Sequence, residues 1–286
     1  MKSFLFVLLQ YILPHHLLSR IVGWFASTEI TWIKNLFIQR FAANFDVNMA
    51  EAAQESLLEY KSFNAFFCRA LKPEARPLEE EENALLCPAD GAISQAGTIN
   101  GNTIFQAKGK SFSTTALLGG DETLAKKFEN GQYCTVYLSP KDYHRVHMPI
   151  SGTLTDMIHV PGALFSVNPT TVNNVDNLFA RNERVVSIFE TDVGPVAVVL
   201  VGAMIVASIE TVWAGEIAPR GNKVTRQQYG EHPPISLTRG SEMGRFKLGS
   251  TAVLLMPENS TNWLERMTPG RTVKMGEPLA TIKKRH

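Results

Sequence analysis

Three dispersed segments of the chain carry side chains that could do chemistry. The first places Asp90 in a turn directly before a predicted strand. The second carries His144 and His147, and the third contains the pair Gly249 and Ser250. A serine hydroxyl is a weak nucleophile at neutral pH and needs an adjacent base. Each segment alone also fits an ordinary turn, a buried histidine pair or a loop, so their significance depends on their occurring together.

Other common catalytic motifs are absent from the sequence. No G-x-S-x-G elbow is present, so an α/β-hydrolase serine is unsupported. Residues 109–111 are similar to the end of a Walker A motif, but Ile104 stands where that motif requires glycine. His144 and His147 form an H-x-x-H pair without an evident third ligand nearby, so no metal site is predicted.

Lys274 lies in a segment that is similar to the end of a lipoyl- or biotinyl-type barrel-sandwich domain. The flanking carrier hairpin is missing, and we interpret Lys274 as a lysine of a strand and turn.

Composition excludes several classes of function. A length of 286 residues allows one large domain or two modest ones. The net charge of +1 and the lack of a basic patch interleaved with aromatic residues argue against nucleic-acid binding. Three well-separated cysteines without a C-x-x-C pair indicate buried free thiols in a reducing compartment.

The elements that must position these segments change character along the chain. Residues 1–70 have helical patterns, and an acidic, proline-containing stretch follows them. From Pro88 onward β-branched and aromatic runs predict strands, and two similar turn-strand segments at 88–94 and 149–155 suggest related hairpins. We therefore predict an α+β fold: a helical N-terminal region, 1–70, followed by a β-rich catalytic core, 71–286, with barrel-sandwich-like hairpins.

The N-terminus has a pattern typical of a membrane surface. The apolar run Phe4–Leu13 is shorter than the roughly 20 residues that a spanning helix needs. No convincing signal-peptide cleavage site follows it. Downstream, a helix with one apolar stripe carries Trp32 and Lys34, residue types that suit a headgroup interface. The alternative is that these helices bury their stripes against the protein or a second subunit.

Taken together and in this order, the three segments resemble those of phosphatidylserine decarboxylases, in particular the bacterial membrane-associated type. The resemblance extends from about Tyr60 to Met256 and more weakly to both ends. Further segments that resemble the family are Phe63–Arg69, Arg76–Pro77, Gln106–Gly109, Tyr137–Pro140, Pro161–Gly162, Leu164–Asn168, Leu178–Arg184 and Ile209–Gly215.

The resemblance implies a specific chemistry. Phosphatidylserine would be decarboxylated to phosphatidylethanolamine through a Schiff base with a pyruvoyl group, and neither a metal nor pyridoxal phosphate is expected. The pyruvoyl would arise from Ser250 by autocatalytic serinolysis at Gly249–Ser250, giving chains 1–249 and 250–286. By analogy His147 is the base and Asp90 orients it. His144 is the family candidate for proton handling, although a structural role stays open because in an extended segment His144 and His147, three residues apart, point to opposite faces.

The resemblance also implies partners and a location. We expect phosphatidylserine as substrate, peripheral attachment to the cytoplasmic face of the cell membrane through the N-terminal helices, two cleaved chains that remain associated, and a homodimer. Two alternatives stay open. One is a pyruvoyl enzyme for a small soluble amino acid, and the other is a non-enzymatic carrier or lipid-binding module with an intact backbone.

Overall fold

A computed structural model describes residues 2–204, 208–218, 221–230, 233–247 and 250–283, with the backbone alone at residues 2–4 and 250. Gly249, one half of the predicted cleavage site, lies outside the described residues, as does Leu248 before it.

Helices dominate the N-terminal part of the chain. The α-helices of the described residues are α1 Lys2–Ile12, α2 His15–Ser27, α3 Thr31–Phe45, α4 Phe63–Phe67, α5 Thr114–Leu117, α6 Glu122–Lys126, α7 Pro169–Val172 and α8 Leu178–Arg181. Short 3-10 turns occupy Leu57–Glu59 and Pro73–Ala75. Helix α4 begins where the Ser62 hydroxyl accepts a hydrogen bond from the amide of Ala65, which satisfies one of the unpaired donors of the first turn.

Helices α1 and α2 meet at a sharp corner next to Pro14, a residue that cannot continue a helix in its interior. Within the described ranges, no single helix has both the length and the apolarity that crossing a membrane requires. The pair Leu5–Ile12 and His15–Ser27 meets those criteria only when it is taken together, and it is bent by 89°.

Strands follow the helices from Ala84 onward. They are β1 Ala84–Leu86, β2 Gly91–Thr98, β3 Thr103–Ala107, β4 Lys110–Ser113, β5 Gln132–Leu138, β6 Arg145–His147, β7 Gly152–Val160, β8 Arg184–Thr191, β9 Gly194–Val201, β10 Ser208–Thr211, β11 Gly215–Ala218, β12 Thr225–Gln228, β13 Ser236–Leu237, β14 Glu242–Lys247, β15 Ser250–Met256, β16 Thr261–Trp263, β17 Thr272–Val273 and β18 Pro278–Ile282.

The largest sheet is antiparallel, with the strand order β12-β7-β8-β9-β15-β5-β2-β17 and with β13 paired to β7. Strand β15 lies inside this sheet, and its two faces enter different apolar clusters. Ala252 and Leu254 pack on one side, and Val253 and Leu255 pack on the other. Burial on both faces explains why this strand is a continuous apolar run in the sequence.

A smaller antiparallel sheet has the order β11-β10-β14-β6. His147 lies in β6, and β14 is the strand that precedes Ser250 in the sequence. The predicted α+β fold, helical first and β-rich afterwards, is confirmed. In the part of the chain that the structure describes, the sheets do not close into a barrel.

Candidate active site

Ser250 begins β15, and its backbone pairs with Leu138 at the end of β5. On the other edge of β5, Tyr137 pairs with Ala92 of β2, so that Asp90 enters this sheet just before β2. Neighbouring strands are about 4.8 Å apart, which places the backbone near Asp90 roughly 10 Å from that of Ser250. The large sheet thus brings the first and third segments to the same end of β2 and β15, the two strands that flank β5.

His147 is joined to both of these segments. It pairs with Glu242 in β14, the strand that precedes Ser250 in the sequence. Its backbone amide also donates a 2.8 Å hydrogen bond to the carbonyl of Pro88, two residues before Asp90. The fold therefore gathers the three segments that are dispersed in the sequence.

The carboxylate of Asp90 is buried and has charged partners of its own. Arg76 Nε donates to both of its oxygens, at 2.8 and 3.0 Å, and Arg76 Nη2 adds a further contact. The amide of Met275 donates to Oδ1 at 2.9 Å, and Arg76 also reaches Glu51 at 2.8 Å. Burial opposes the charge of Arg76, but the hydrogen bonds that Arg76 donates to Asp90 and Glu51 outweigh it and raise the pKa of Arg76 above its ordinary value.

The imidazole of His147 is buried without a hydrogen bond to Asp90 among the described residues, and its Nδ1 has no partner there. Burial lowers the pKa of His147 to about 4. The positive charge of Arg145 adds to this decrease, and the negative charges of Glu242 and Asp90 counteract it. Asp90 thus acts on His147 only electrostatically in this arrangement, and the hydrogen bonds that it accepts come from Arg76 and Met275.

The imidazole of His144 is fully buried and stacks on Phe67, with ring centroids 3.9 Å apart. Its Nε2 lies 3.1 Å from the carbonyl oxygen of Ser139, which can only accept, so Nε2 carries the hydrogen. Its Nδ1 has no partner among the described residues. Burial, followed by the charge of Arg69, lowers the pKa of His144 to about 3.

Comparison with known proteins identifies the family of the chain. The phosphatidylserine decarboxylase family model matches residues 63–281, and a second model, described as PSD, matches residues 5–46. The chain belongs to the phosphatidylserine decarboxylase family.

Three relatives are each named phosphatidylserine decarboxylase proenzyme. The protein of Pseudomonas putida strain W619 is 59% identical over 98% of both chains. That of Ectopseudomonas mendocina strain ymp is 59% identical over 99% of this chain and all of its own, and that of Saccharophagus degradans is 56% identical over 99% of both. The resemblance drawn from the three segments is thereby confirmed.

The sequence alone assigned no role at the site to Arg76, Glu51 or Lys274, which form a charge network around Asp90. Arg76 was noted only as part of a matching segment, and Glu51 was not singled out. Lys274 forms a 3.3 Å ion pair with Glu51 and so extends this charge network. A buried carboxylate needs a partner, but this requirement does not identify which cation of the sequence is that partner.

The described residues contain no group of three or more histidine, cysteine, aspartate or glutamate side chains that could hold a metal ion. Nδ1 of His144 and Nδ1 of His147 are buried and have no hydrogen-bond partner among the described residues. Buried imidazole nitrogens without a partner suit proton transfer, so these residues fit the chemistry that a pyruvoyl expected at residue 250 would require.

The two histidines predict a pH dependence of folding. Their folded pKa values, about 3 for His144 and about 4 for His147, lie below the ordinary value of 6.5. Between these values the unfolded chain binds protons that the native chain excludes, so stability is complete above about pH 6.5 and is lost as the pH falls toward 4. The free energy of unfolding of Ser250→Ala protein, from urea titrations, should be lower at about pH 5 than at about pH 7.

The control for this prediction is the same protein carrying His144→Gln and His147→Gln. It should show a clearly shallower dependence on pH over that range, since the two shifted groups are gone. An unchanged slope would mean that other groups cause the acid sensitivity.

Gly91 is required by the close approach of β2 to β5 beside Asp90. A Cβ at this position would lie 2.2 Å from the carbonyl oxygen of Tyr137, and a backbone atom of a paired strand cannot move away easily. Gly91→Ala should therefore displace Asp90 and abolish self-cleavage, as judged by intact mass. Gly97→Ala is the matched control in the same strand: its nearest neighbour is a side-chain atom at 3.7 Å, and cleavage should persist.

Proposed function

We propose that the chain is a proenzyme that cuts itself between Gly249 and Ser250 and then decarboxylates phosphatidylserine to phosphatidylethanolamine. The observation that carries the proposal is that the fold brings Asp90 and the backbone of Ser250 to the same end of the large sheet, and joins His147, from the smaller sheet, to the segment before Asp90, in a member of this family.

Self-cleavage needs a nucleophile, a base and an orienting charge. The Ser250 hydroxyl attacks the Gly249 carbonyl while the neutral imidazole of His147 takes the hydroxyl proton. The peptide C–N bond breaks, the ester forms, and the proton passes to the new amine. Asp90 stabilises the transient imidazolium of His147 by its negative charge. The low pKa of His147 keeps the ring neutral, and therefore able to accept a proton, across the physiological range.

Elimination then separates the chains. The Cα proton of Ser250 is lost, the Gly249 carboxylate leaves from Cβ, and addition of water with loss of ammonia leaves a ketone at residue 250. A pyruvoyl group in this position supplies a carbonyl for the substrate amine and an electron sink for decarboxylation. His144, with an unpartnered Nδ1 in the same region, is the residue that handles protons during turnover.

The two chains, 1–249 and 250–286, remain associated after cleavage. Strand β15 pairs with β5 along one edge and with β9 along the other, so the smaller chain lies inside the sheet. The amide of Met275 also donates to Asp90 of the larger chain. Breaking one peptide bond at the start of β15 removes none of these contacts.

We further propose that residues 1–70 associate with the membrane and that residues 71–286 form the catalytic domain. Exposed large apolar side chains are concentrated on α1, α2 and α3: Leu5, Phe6, Leu8, Leu9, Tyr11, Ile12, Leu17, Ile21, Trp24, Phe25, Trp32, Leu36, Phe37 and Phe45. Extracting a two-chain lipid into water costs about 0.8 kcal/mol per methylene, so an enzyme at the surface of the bilayer avoids a large penalty. The surface concerned is the cytoplasmic face of the cell membrane, and the working unit is a homodimer.

The test combines activity with membrane binding. Wild-type protein should release CO2 from phosphatidylserine in vesicles and none from free serine. Ile12, Trp24 and Trp32, which are 64–72% exposed, are replaced together by Ser. Because each loses apolar contact with the bilayer, pelleting with vesicles and turnover of vesicle substrate should fall about tenfold or more. Turnover of short-chain, water-soluble phosphatidylserine should largely survive.

Phe105→Ser with Val224→Ser is the matched control, since these side chains are also exposed but lie outside the N-terminal helices. It should bind vesicles normally. Equal loss on both substrates in the triple variant would show that the helices support folding or dimerisation, and turnover of serine alone would favour a soluble amino acid as substrate.

A further inference from the structure

We propose that Arg69 is a positioning residue for His144: its guanidinium fixes the turn that holds the imidazole and leaves Nδ1 of that ring as a proton acceptor. The inference rests on the proposed function, in which His144 handles protons. Arg69 acts through the histidine and not on the reacting atoms.

Arg69 is a buried cation with an incomplete set of partners. Its side chain is only 5% exposed, and Nη2 donates to the carbonyl of Lys141 at 3.0 Å. Its Nε and Nη1 have no hydrogen-bond partner among the described residues. Burying a charged group without satisfying it opposes folding, so an arginine in this state calls for an explanation beyond stability.

The acidic and phenolic groups around Arg69 are engaged elsewhere. Asp90 is held by Arg76, and Asp142 accepts from the amide of Ser139 at 2.6 Å and from its hydroxyl at 2.7 Å. The hydroxyl of Tyr60 donates to the carbonyl of Gln54. The positive charge of Arg69 is therefore not neutralised by an ion pair within the described residues.

Arg69 and His144 hold the same turn. Arg69 binds the carbonyl of Lys141, and His144 Nε2 binds the carbonyl of Ser139. The ring of Phe67, two residues before Arg69, stacks on the imidazole. The end of α4 is thus docked on residues 139–144, and the ring of His144 lies between a flat aromatic face and a carbonyl that fixes its tautomer.

The uncompensated charge determines what the imidazole can do. Because Nε2 carries the hydrogen, Nδ1 has a free lone pair. Burial and then the charge of Arg69 lower the pKa of His144, while the carbonyls of Ser139 and Pro140 oppose them; Asp142, Arg145 and His147 flank it in the chain. Such a ring stays neutral at physiological pH, and a proton that it receives at Nδ1 is returned readily.

The experiment measures the protonation of His144 in uncleaved protein. In the Ser250→Ala background, nitrogen NMR of labelled histidines follows the rings from about pH 4 to about pH 7, and His144→Gln assigns the signal. We expect His144 to remain neutral with its hydrogen on Nε2. Arg69→Gln, which removes the charge, should raise the pKa of His144 by about one unit or more, as expected when a nearby unit charge of the same sign is removed.

Arg69→Lys, which keeps the charge, should leave the titration close to that of the parent. A folded Arg69→Gln protein with an unchanged His144 titration would overturn the proposal. If the Gln variant does not fold, the Lys variant decides: an ordinary His144 pKa in a protein that retains the cation would overturn it as well. Because all readings come from inactive protein, their failure is distinct from failure of the proposed function, which the mass of wild-type protein tests.

Discussion

Ser250→Ala is expected to leave a single chain of 286 residues that has no decarboxylase activity. The substitution removes the only atom that can attack the Gly249 carbonyl in the proposed reaction, and without the ester neither elimination nor a ketone can follow. The expected effect is complete loss, since no neighbouring group replaces a hydroxyl that becomes part of the product. Intact mass and CO2 release from phosphatidylserine vesicles measure it.

Thr251→Val is the matched control for this variant. Thr251 follows Ser250 in β15, is fully buried, and has a hydroxyl without a partner among the described residues. Valine has nearly the same shape, so the strand should keep its packing and the protein should still divide into two chains. Cleavage of Ser250→Ala at the same bond would show that another nucleophile, or a protease, makes the cut.

Asp90→Ala is expected to abolish self-cleavage and also to destabilise the protein by about 3–5 kcal/mol, because it leaves Arg76 buried without its main partner. Loss of cleavage alone would therefore not separate a catalytic role from a folding role. The double variant Asp90→Ala with Arg76→Met removes both charges and should recover most of the lost stability, as measured by urea denaturation.

The recovered double variant should still fail to cleave, since the charge that we propose to stabilise the imidazolium of His147 is absent. Normal cleavage by a double variant of near wild-type stability would restrict Asp90 to a structural role. Cleavage by the single variant at the wild-type rate would contradict both roles.

The sequence predicted the fold class and the three reactive segments because those signals are local. Apolar stripes and strand runs depend on neighbouring residues, and short segments around Asp90, His147 and Ser250 could be matched without knowing their contacts. The sequence also contains a long apolar run at 196–210, whose pattern is that of a single strand. It divides between β9 and β10, which lie in different sheets, and a run of apolar residues does not mark where a chain changes sheet.

The partners of the site residues could not be predicted, because they come from distant parts of the chain. Asp90 pairs with Arg76 from the segment after the helices and with the amide of Met275 from the C-terminal part. Lys274 illustrates the same limit: its sequence context is similar to a carrier site, whereas the structure places it in an ion pair with Glu51. Only the three-dimensional arrangement identifies such contacts.

The central claim is that the protein makes its own catalytic group at Ser250, and the mass of purified wild-type protein tests it most directly. We expect two chains, 1–249 and 250–286, the smaller having 286 − 249 = 37 residues. The smaller chain should begin with pyruvoyl: it should resist Edman degradation, which needs a free amine, and should react with a carbonyl reagent such as hydroxylamine. A single full-length species with full activity, or a smaller chain that begins with an ordinary serine, would contradict it.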